Sequence, residues 1–338
     1  MSRPGRKFFA VALVSASLGF HLVTVAIFSR QPDRLAAFTI IPIWIWGAGG
    51  LLLSSCAFLL FRARLSLFAT AAWALTVLFL ADETRPLARI GSPSLDAGRP
   101  QRFEGREVIR VATINWAGSN ENFSESIIRY QPDLVFIQEI PHPYRLRQLN
   151  ETLFKGKGDY RYDKHTRCGL VARGEIEHHI PNPRGLPYRS HQVRVRLPNG
   201  RRIELVNVHL QAAATDLNLW SRDCWRSHHH NRKRRRMEIA LALQKLEKTN
   251  ISPKLPAVII AGDFNAPAGD RVYGMLKGEF TDTFSEVGSG WGSTYHRAFP
   301  ILRLDHIFAS RAFHAARSRV VTVEESDHRM VISDLIMK

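Results

Sequence analysis

Cysteine is scarce in this sequence, with only three in 338 residues, and this excludes a small fold held together by disulfides. Cys56 lies inside a long apolar run, where it serves packing. Cys168 and Cys224 lie beyond that run and either form one disulfide or are two unrelated small apolar residues. The sequence also lacks an internal repeat of fixed period, which excludes an array of repeats.

Acidic residues are scarce as well, since 30 Asp and Glu stand against 47 Lys and Arg, a formal net charge of +17. Residues 1–90 contain three acidic and nine basic residues. An excess of positive charge favours a polyanionic partner but does not choose among lipid headgroups, pyrophosphates and nucleic acid. Hydrophobic residues make up 45% of the chain, which excludes a disordered or collagen-like protein.

The first ninety residues contain three long apolar runs, at 8–28, 35–61 and 65–81. A helix rises about 1.5 Å per residue, so these runs span roughly 26–40 Å, against a hydrocarbon core of about 30 Å. We therefore predict three transmembrane helices. The alternative is a secretory signal peptide followed by buried core helices, but the first run is longer than the apolar part of a signal peptide.

Basic residues around these runs predict the orientation of the chain in the membrane. Five of them fall on one side, Arg3, Arg6, Lys7, Arg62 and Arg64, and two on the other, Arg30 and Arg34. Because cytoplasmic loops carry more Lys and Arg, the N-terminus is expected in the cytoplasm. Three crossings of the cytoplasmic (inner) membrane then place the rest of the chain outside. We predict a multi-pass anchor at 1–88, a Gly-, Ser- and Pro-rich linker at 89–105 and an extracytoplasmic domain at 106–338.

Residues 106–338 contain many short apolar patterns and a few amphipathic ones, which predicts an α/β layered sandwich. The expected strands are 108–114, 134–138, 169–172, 192–197, 203–209, 257–261, 304–308, 319–323 and 330–335. The expected helices are 122–130, 144–154 and 232–247. Pro198-Asn199-Gly200 is typical of a hairpin turn between two of the strands.

Several expected strands end in, or are followed by, polar residues that an apolar core would not select. In chain order these are Asn115, Gln138, Glu139, His209, Asp263, Asn265, Asp305, Asp327 and His328. Strand ends can converge at one edge of a sheet sandwich and build a site on a rigid frame. The residue types fit phosphoester hydrolysis, which needs oxygen ligands for a divalent cation, donors for a phosphate and a carboxylate base.

In this order the residues resemble the motifs of the endonuclease/exonuclease/phosphatase superfamily. The six motifs are Asn115, Gln138-Glu139, His209, Gly262-Asp263-Phe264-Asn265, Arg303-Leu304-Asp305 and Ser326-Asp327-His328. The superfamily includes deoxyribonucleases, apurinic-site endonucleases, inositol-polyphosphate 5-phosphatases and neutral sphingomyelinases. The resemblance covers about residues 106–338 and implies a four-layer α-β-β-α sandwich, here preceded by three transmembrane helices. The apolar runs and the stretch Gly290-Trp291-Gly292-Ser293-Thr294 resemble a bacterial membrane branch that includes teicoplanin-resistance proteins.

The resemblance implies a metal centre and a water-activating group. Glu139 would be the main ligand of Mg²⁺, or of Mn²⁺ in its place. Asn115 would assist at the metal or the phosphate, and Asp327 would lie near the metal. Asp263 would orient and deprotonate the attacking water.

The resemblance also implies how the phosphate is held. Asn265 would hold a phosphate oxygen, and His209 would bind the phosphate or assist the leaving oxygen. His328 would donate to the phosphate and be oriented by Asp305, since an imidazole beside a carboxylate stays protonated to higher pH. Thr294 and Arg236 complete the expected substrate contacts.

Each of these residues also has a purely structural interpretation. Asn115 and Gln138 could be satisfied polar groups at strand ends, and Glu139 could cap the following helix. Asp263 to Pro267 could form an Asx turn, and Asp305 with His328 could be a buried structural pair.

The segment 220–237 has the unusual sequence WSRDCWRSHHHNRKRRRM. Three consecutive histidines cannot all face one ion, so a metal site there is disfavoured. The basic run 232–236 is typical of a nucleic-acid contact, but a solvated helix start with one or two arginines facing the site is the preferred interpretation.

These observations predict a membrane-anchored, Mg²⁺-dependent phosphoesterase acting on a phosphoester or pyrophosphate, with a lipid-linked substrate preferred. Undecaprenyl-type carriers and phospholipid headgroups are the leading substrates because the anchor would hold the site beside the bilayer. No obligate protein partner is expected. One alternative is an extracytoplasmic nuclease whose basic and aromatic residues at 220–236 track DNA or RNA. The other is a non-catalytic binding or sensing module.

Overall fold

The computed structural model describes residues 3–61, 64–92, 95–98, 102–119, 125–180, 182, 189–213, 216–249 and 257–338. The chain divides into two compact units. The first comprises residues 1–84, 214–229 and 267–270. The second comprises residues 85–213, 230–266 and 271–338.

Helices dominate the first unit: α1 (Arg3–Arg30), α2 (Ala36–Thr39), α3 (Ile43–Phe61) and α4 (Leu65–Leu80), with a 3₁₀ turn at Asp33–Leu35. Buried polar groups join the three long helices. The Ser17 and Ser54 hydroxyls lie 2.7 Å apart, and the Trp73 indole donates to Ser17 Oγ at 3.1 Å. Gly50 lets Trp73 approach, because a Cβ there would lie 2.0 Å from the indole. Small residues with interhelical hydrogen bonds are the packing devices of membrane helices.

Within the described part of the chain, two helices rather than the three expected are long and apolar enough to cross a membrane, namely Lys7–Arg30 within α1 and Ile43–Leu60 within α3. α4 is apolar but has 16 residues, a rise of about 24 Å against a core of about 30 Å. The expected span at 35–61 is also shortened, since the chain is not helical at Ile41 and Pro42. A proline ring disfavours helix at the preceding residue and removes a backbone donor. Arg62 lies outside the described residues.

In the second unit the strands are β1 (Arg102–Phe103), β2 (Arg106–Glu107), β3 (Ile109–Asn115), β4 (Leu134–Gln138), β5 (Asp159–Asp163), β6 (Cys168–Ala172), β7 (Glu175–Ile180), β8 (Ser190–Arg196), β9 (Arg202–His209), β10 (Val258–Asp263), β11 (Phe280–Asp282), β12 (Asp305–Ser310), β13 (Phe313–Thr322) and β14 (Arg329–Met337). The remaining helices are α5 (Thr84–Ala88), α6 (Glu125–Tyr130), α7 (Tyr144–Phe154), α8 (Arg222–Thr249), α9 (Arg271–Gly274) and α10 (Thr283–Val287). α8 begins in the first unit and continues into the second.

Two six-stranded sheets form the centre of the second unit, in the orders β11-β12-β10-β9-β8-β7 and β13-β14-β3-β4-β6-β5. One apolar cluster, which includes Val111, Phe136, Leu205 and Ile307, draws on both sheets and fills the space between them. A second cluster packs α6 and α7 on the outer face of the β3 sheet, and a third packs α8 on the outer face of the β10 sheet. The chain therefore forms helix, sheet, sheet and helix layers, as expected.

Edge strands account for most of the strands that the sequence pattern did not predict. β5, β7 and β11 each lie at the edge of a sheet. Edge strands face solvent and tolerate charged residues, so they lose the apolar alternation that predicts a strand. Helix α6 begins at Glu125, and residues 122–124 of the expected helix lie outside the described residues.

The region 220–237 differs from expectation, because α8 begins at Arg222, ten residues before the expected start at 232. Arg232 and Arg235 are buried, whereas Lys233 and Arg234 are exposed. The basic run is therefore only half solvated. Nη1 of Arg235 lies 3.3 Å from the carbonyl oxygen of Gln211, which it contacts as a donor.

All three cysteines are free thiols, so Cys168 and Cys224 do not form a disulfide. Cys168 is fully buried, and burial raises the pKa of its thiol to about 12. Within the expected linker, Leu95 is buried and the amide of Gly98 donates to Arg129 O at 2.7 Å. These described linker residues belong to the second unit.

Candidate active site

The polar strand ends continue the inward-facing rows of the two sheets. Side chains alternate along a strand, so every second residue faces the space between the sheets. The inward rows are Ile109 and Val111 leading to Asn115, Leu134 and Phe136 to Gln138, Ile203 and Leu205 to Asn207 and His209, Ile259 and Ala261 to Asp263, and Ala309 and Ile307 to Asp305. The apolar core between the sheets therefore gives way to polar groups at one end.

Strand pairing places these polar groups side by side. Asn115 pairs with Gln138 in one sheet. In the other sheet, Asp263 pairs with Asp305 on one side and with His209 on the other. Segments separated by up to about two hundred residues in sequence thus meet at one end of the sandwich.

Asn115 connects the two sheets at this end. Its amide donates to Glu139 Oε1 at 3.1 Å and to Asp263 Oδ2 at 3.0 Å. Its own oxygen accepts the amide N–H of Ala117 at 2.8 Å, which fixes the orientation of the side chain. An amide held in this way sets the distance between the two carboxylates.

Glu139 follows the end of β4 in a left-handed conformation, with a φ of 53°. This conformation is costly for a residue with a Cβ, and such strain concentrates at functional sites. Nε2 of His209 lies 3.3 Å from Glu139 Oε1. The hydrogen bond to His209 outweighs partial burial and holds the pKa of Glu139 at about 2, so the carboxylate is charged at neutral pH.

Asp263 lies at the end of β10 and is 1% exposed. Its Oδ1 accepts the amide N–H of Asn265 at 2.8 Å, and its Oδ2 accepts the side chain of Asn265 at 3.0 Å. Burial and the neighbouring Asp305 raise its pKa, which makes the carboxylate a better base. The preceding Gly262 has a φ of 143°, and a Cβ there would lie 2.0 Å from Val208 O, so only glycine fits.

Asp305 and His328 form a buried pair, with Asp305 Oδ2 2.8 Å from His328 Nδ1. Burial alone would lower the pKa of His328, but the carboxylate outweighs burial and raises it to about 10. Ser326 positions the loop, because its hydroxyl donates to Asn115 O at 2.6 Å and accepts from the amide of His328 at 3.0 Å. His328 is therefore a protonated donor at neutral pH.

The donor set fits a divalent cation. One oxygen each of Asp263 and Asp305 and a ring nitrogen of His328 lie within 4.8 Å of one another, and because His328 is protonated it is the two carboxylates that have lone pairs for a cation. Among the described residues, Oδ1 of Asp305 and Oδ1 of Asp327 are buried without a hydrogen-bond partner. Oxygen-rich clusters of this kind suit hard ions such as Mg²⁺. The closest group differs from the expected ligands Glu139, Asn115 and Asp327, although Asn115 joins Glu139 to it.

Thr294 and Arg236, the other two expected substrate contacts, have different surroundings. The Thr294 hydroxyl is buried and accepts the amide N–H groups of Leu304, at 3.0 Å, and Asp305, at 3.2 Å. It orients the start of β12. Arg236 is half-buried on α8 and follows the buried Arg235. Their contact with a substrate stays a prediction.

Asn207 joins the two sheets beneath the site, a role that its sequence pattern did not predict. Its amide donates to Ile137 O at 3.0 Å and Gly169 O at 2.8 Å, and its oxygen accepts from Gln138 Nε2 at 2.7 Å. A polar residue at an inward position two residues before His209 is the signal that could have identified it.

Arg167 is the second residue without a predicted role. It is exposed and donates from Nη2 to the backbone oxygen of Glu139 at 3.2 Å. The guanidinium is a positive group beside the carboxylates. No local pattern predicts this contact, since it depends on the pairing of β6 with β4.

Comparison with known proteins agrees with this architecture. The profile of the Endonuclease/Exonuclease/phosphatase family matches residues 112–328. Among curated proteins the sequence has no match.

Three solved structures illustrate the similarity of fold. An endonuclease/exonuclease/phosphatase family protein from Bacteroides thetaiotaomicron is 17% identical, with a TM-score of 0.54 over 69% of this chain and 99% of that one. A mannosyl-6-phosphatase from Bacteroides thetaiotaomicron VPI-5482 is 16% identical, with a TM-score of 0.53 over 68% and 100%. A D. rerio TDP2 humanized by 14 mutations is 18% identical, with a TM-score of 0.51 over 68% and 98%.

Proposed function

This chain belongs to the endonuclease/exonuclease/phosphatase family, and from that premise we propose that it is a membrane-anchored, metal-dependent phosphoesterase. The reaction is hydrolysis of a phosphoester or pyrophosphate bond by metal-assisted attack of water. The preferred substrate is lipid-linked.

One observation carries this proposal. The side-chain amide of Asn115 holds Glu139 and Asp263, from different sheets, at 3.1 and 3.0 Å, beside the buried Asp305–His328 pair. A purely structural role would not require three carboxylates to converge where the apolar core ends, because buried like charges repel one another there. A site for a cation and a phosphate explains the arrangement.

Asp263 is the residue that activates water. Its raised pKa and its two hydrogen bonds from Asn265 keep the carboxylate fixed and basic. Asn265 itself has a φ of 48°, which presents its side chain next to Asp263. The side-chain amide of Asn265 also donates to Leu210 O at 3.1 Å, so its proposed contact with a phosphate oxygen would replace one of its two hydrogen bonds.

His328 stabilises the negative charge that develops on the phosphate. The Asp305 carboxylate keeps its imidazole protonated and in one orientation. His209 lies at the end of β9, with its Nε2 3.3 Å from Glu139 Oε1. It assists at the phosphate or the leaving oxygen.

A divalent cation, which we propose to be Mg²⁺, would be held by Glu139 and Asn115, with Asp327 nearby, whose Oδ1 is buried without a hydrogen-bond partner among the described residues. When bound, it polarises the phosphate and neutralises the charge of its oxygens.

The lipid-linked substrate is supported by the apolar helices of the same chain. α1 and α3 have the length and composition to span a bilayer, and an anchored enzyme meets membrane-borne phosphoesters at high local concentration. The resemblance to a membrane branch that includes teicoplanin-resistance proteins supports the same class.

The test uses the full-length protein in detergent with Mg²⁺, given polyprenyl pyrophosphate and supercoiled plasmid DNA in parallel. We expect release of phosphate from the lipid, loss of release with EDTA, and a fall in turnover of about 10²–10⁴-fold in Asp263→Asn. Glu139→Ala should raise the Mg²⁺ concentration needed for half-maximal rate. The exposed Glu279→Gln is the matched control and should behave like wild type.

Other outcomes would contradict the proposal in different ways. Nicking of the plasmid without phosphate release from the lipid would identify a nuclease. A folded protein that hydrolyses neither substrate nor a generic phosphodiester would identify a binding module. Wild-type rates in Asp263→Asn would place the catalytic site elsewhere.

A further inference from the structure

The first unit exposes two large apolar side chains outside its long helices. Leu217 is 61% exposed and Trp220 is 97% exposed, the highest value among the exposed large apolar residues of the described chain. Burying a tryptophan side chain is worth several kcal/mol of transfer free energy, so a fully exposed indole is costly in water. Contact with an apolar partner would remove this cost.

The turn that carries these residues is held by hydrogen bonds within it. Within it, the amide of Leu219 donates to Leu217 O and that of Ser221 to Asn218 O, both at 2.9 Å. The Asn218 side chain accepts the amide of Trp220 at 3.2 Å. Because the backbone groups are satisfied inside the turn, the two side chains project from a fixed scaffold.

The start of α8 braces this turn from behind. The Trp225 indole donates to Leu219 O at 2.9 Å, and Nε2 of His228 donates to Asp216 O at 2.5 Å. This contact also gives His228 a structural role, which the histidine triplet did not suggest. The turn is therefore braced in a conformation that leaves the side chains of Leu217 and Trp220 exposed.

The same compact unit contains the apolar helices. Residues 214–229 and 267–270 belong with 1–84, and a Cβ at Gly269 would lie 3.8 Å from the side chain of Gln31, just beyond the end of α1. The helices themselves expose large apolar residues such as Leu22, Leu52 and Phe79. A bilayer around those helices would lie within reach of other apolar groups of this unit.

The charge of residues 216–229 is balanced. Asp216 and Asp223 oppose Arg222 and Arg226, and the guanidinium of Arg226 lies 3.5 Å from Asp223. A nucleic acid or a polyanionic headgroup cluster would need an excess of positive charge here. Tryptophan and leucine next to balanced charges suit the polar–apolar boundary of a bilayer.

We propose that Leu217 and Trp220 insert into the headgroup region of the bilayer that α1 and α3 span, so that the turn before α8 is an interfacial anchor. This inference rests on the membrane anchoring in the proposed function. α8 then starts at the membrane surface and carries the chain into the catalytic unit.

The test measures the immersion depth of spin labels in the full-length protein in phosphatidylcholine nanodiscs. Nitroxides are attached to Trp220→Cys, Asp223→Cys or Leu52→Cys after Cys56→Ser, Cys168→Ala and Cys224→Ala. Accessibility to oxygen and to a water-soluble nickel chelate gives the depth. We expect the label at 220 to be protected from nickel and the matched label at 223, where the Asp223 side chain is exposed, to be open to it.

The label at 52 separates two kinds of failure. If it lies in hydrocarbon while the label at 220 is as nickel-accessible as that at 223, the inference is overturned and the anchoring proposal stands. If the label at 52 is nickel-accessible as well, the membrane anchoring fails and the inference with it. Protection of the label at 220 only after phosphatidylglycerol is added would show electrostatic docking and overturn the inference.

A second measurement keeps the native cysteines. Tryptophan fluorescence is quenched by phosphatidylcholine brominated near the headgroup or near the chain end. Trp220→Ala should lose part of the shallow quenching and none of the deep quenching. An unchanged shallow component would overturn the inference.

Discussion

His328 and Asp305 show how one contact sets a charge state at the site. The carboxylate at 2.8 Å raises the pKa of the imidazole to about 10, against the effect of burial. A group with a raised pKa keeps its proton at neutral pH and loses it as pH rises through the raised value. The donor function of His328 therefore depends on Asp305.

Asp305→Asn removes that charge, so the pKa of His328 should fall. Because the protonated imidazole is the active form, the alkaline limb of the pH–rate profile should move to lower pH. The measurement is kcat/KM against pH with saturating Mg²⁺. A folded variant with an unshifted alkaline limb would contradict the role of His328.

Arg167 supplies a second residue-level prediction, since it is exposed and donates to Glu139 O at 3.2 Å. Arg167→Gln should raise KM by about tenfold with little change in kcat, as expected for loss of one charge-assisted hydrogen bond to a substrate phosphate. Arg147→Gln on α7 is the matched control, because its guanidinium contacts Glu151 on the helix surface. Equal KM values in the two variants would exclude Arg167 from substrate binding.

At the level of elements, β7 and β8 carry a histidine pair, and His191 pairs in register with Asn207 of β9. Nε2 of His191 lies 3.2 Å from Nδ1 of His179. His191 is fully buried, and burial together with His179 lowers its pKa to about 3, so it is neutral in the folded state. Unfolding exposes the ring, which then binds a proton below its ordinary pKa of about 6.5.

The sign of this effect is a loss of stability as pH falls. Between pH 7 and 5.5 the pair should cost about 1 kcal/mol of unfolding free energy, since the unfolded state takes up the proton. His191→Asn should reduce this pH dependence, whereas the exposed His178→Asn should retain it. Thermal midpoints of the three proteins at the two pH values test the expectation. The same slope in all three would contradict it.

For the whole molecule, the side of the membrane depends on α4. Its 16 residues rise about 24 Å, so a crossing requires local thinning of the bilayer. We propose that it crosses, with Arg64 and Asp82 at its ends, which places the catalytic unit opposite the cytoplasmic N-terminus.

Reporter fusions after Ala81 test this placement. An alkaline phosphatase fusion should be active, because that enzyme folds in an oxidising compartment. A fusion at Arg34 should report the same side, and one at Arg64 the cytoplasm. A cytoplasmic signal after Ala81 would mean that only α1 and α3 cross and would reverse the localisation.

Much of the site could be predicted from sequence because period and position are local properties. Asn115, Asp263 and His209 end apolar strand patterns, and polar residues at such positions indicate a functional site at the edge of the sheet. The apolar runs were equally visible, since composition alone sets their transfer free energy. Edge strands and the early start of α8 could not be predicted from the sequence, because solvent exposure removes the apolar pattern on which such a prediction rests.

The sequence by itself determined the apolar composition of the first ninety residues, the alternation of the core strands and the identity of most polar strand ends, because these depend on neighbours along the chain. Only the tertiary structure decided that Asn115 bridges Glu139 and Asp263, that Asn207 ties the sheets together and that Arg167 lies beside the site. Those contacts join residues 24 to 148 positions apart. They depend on sheet pairing and packing in three dimensions, which no local pattern records.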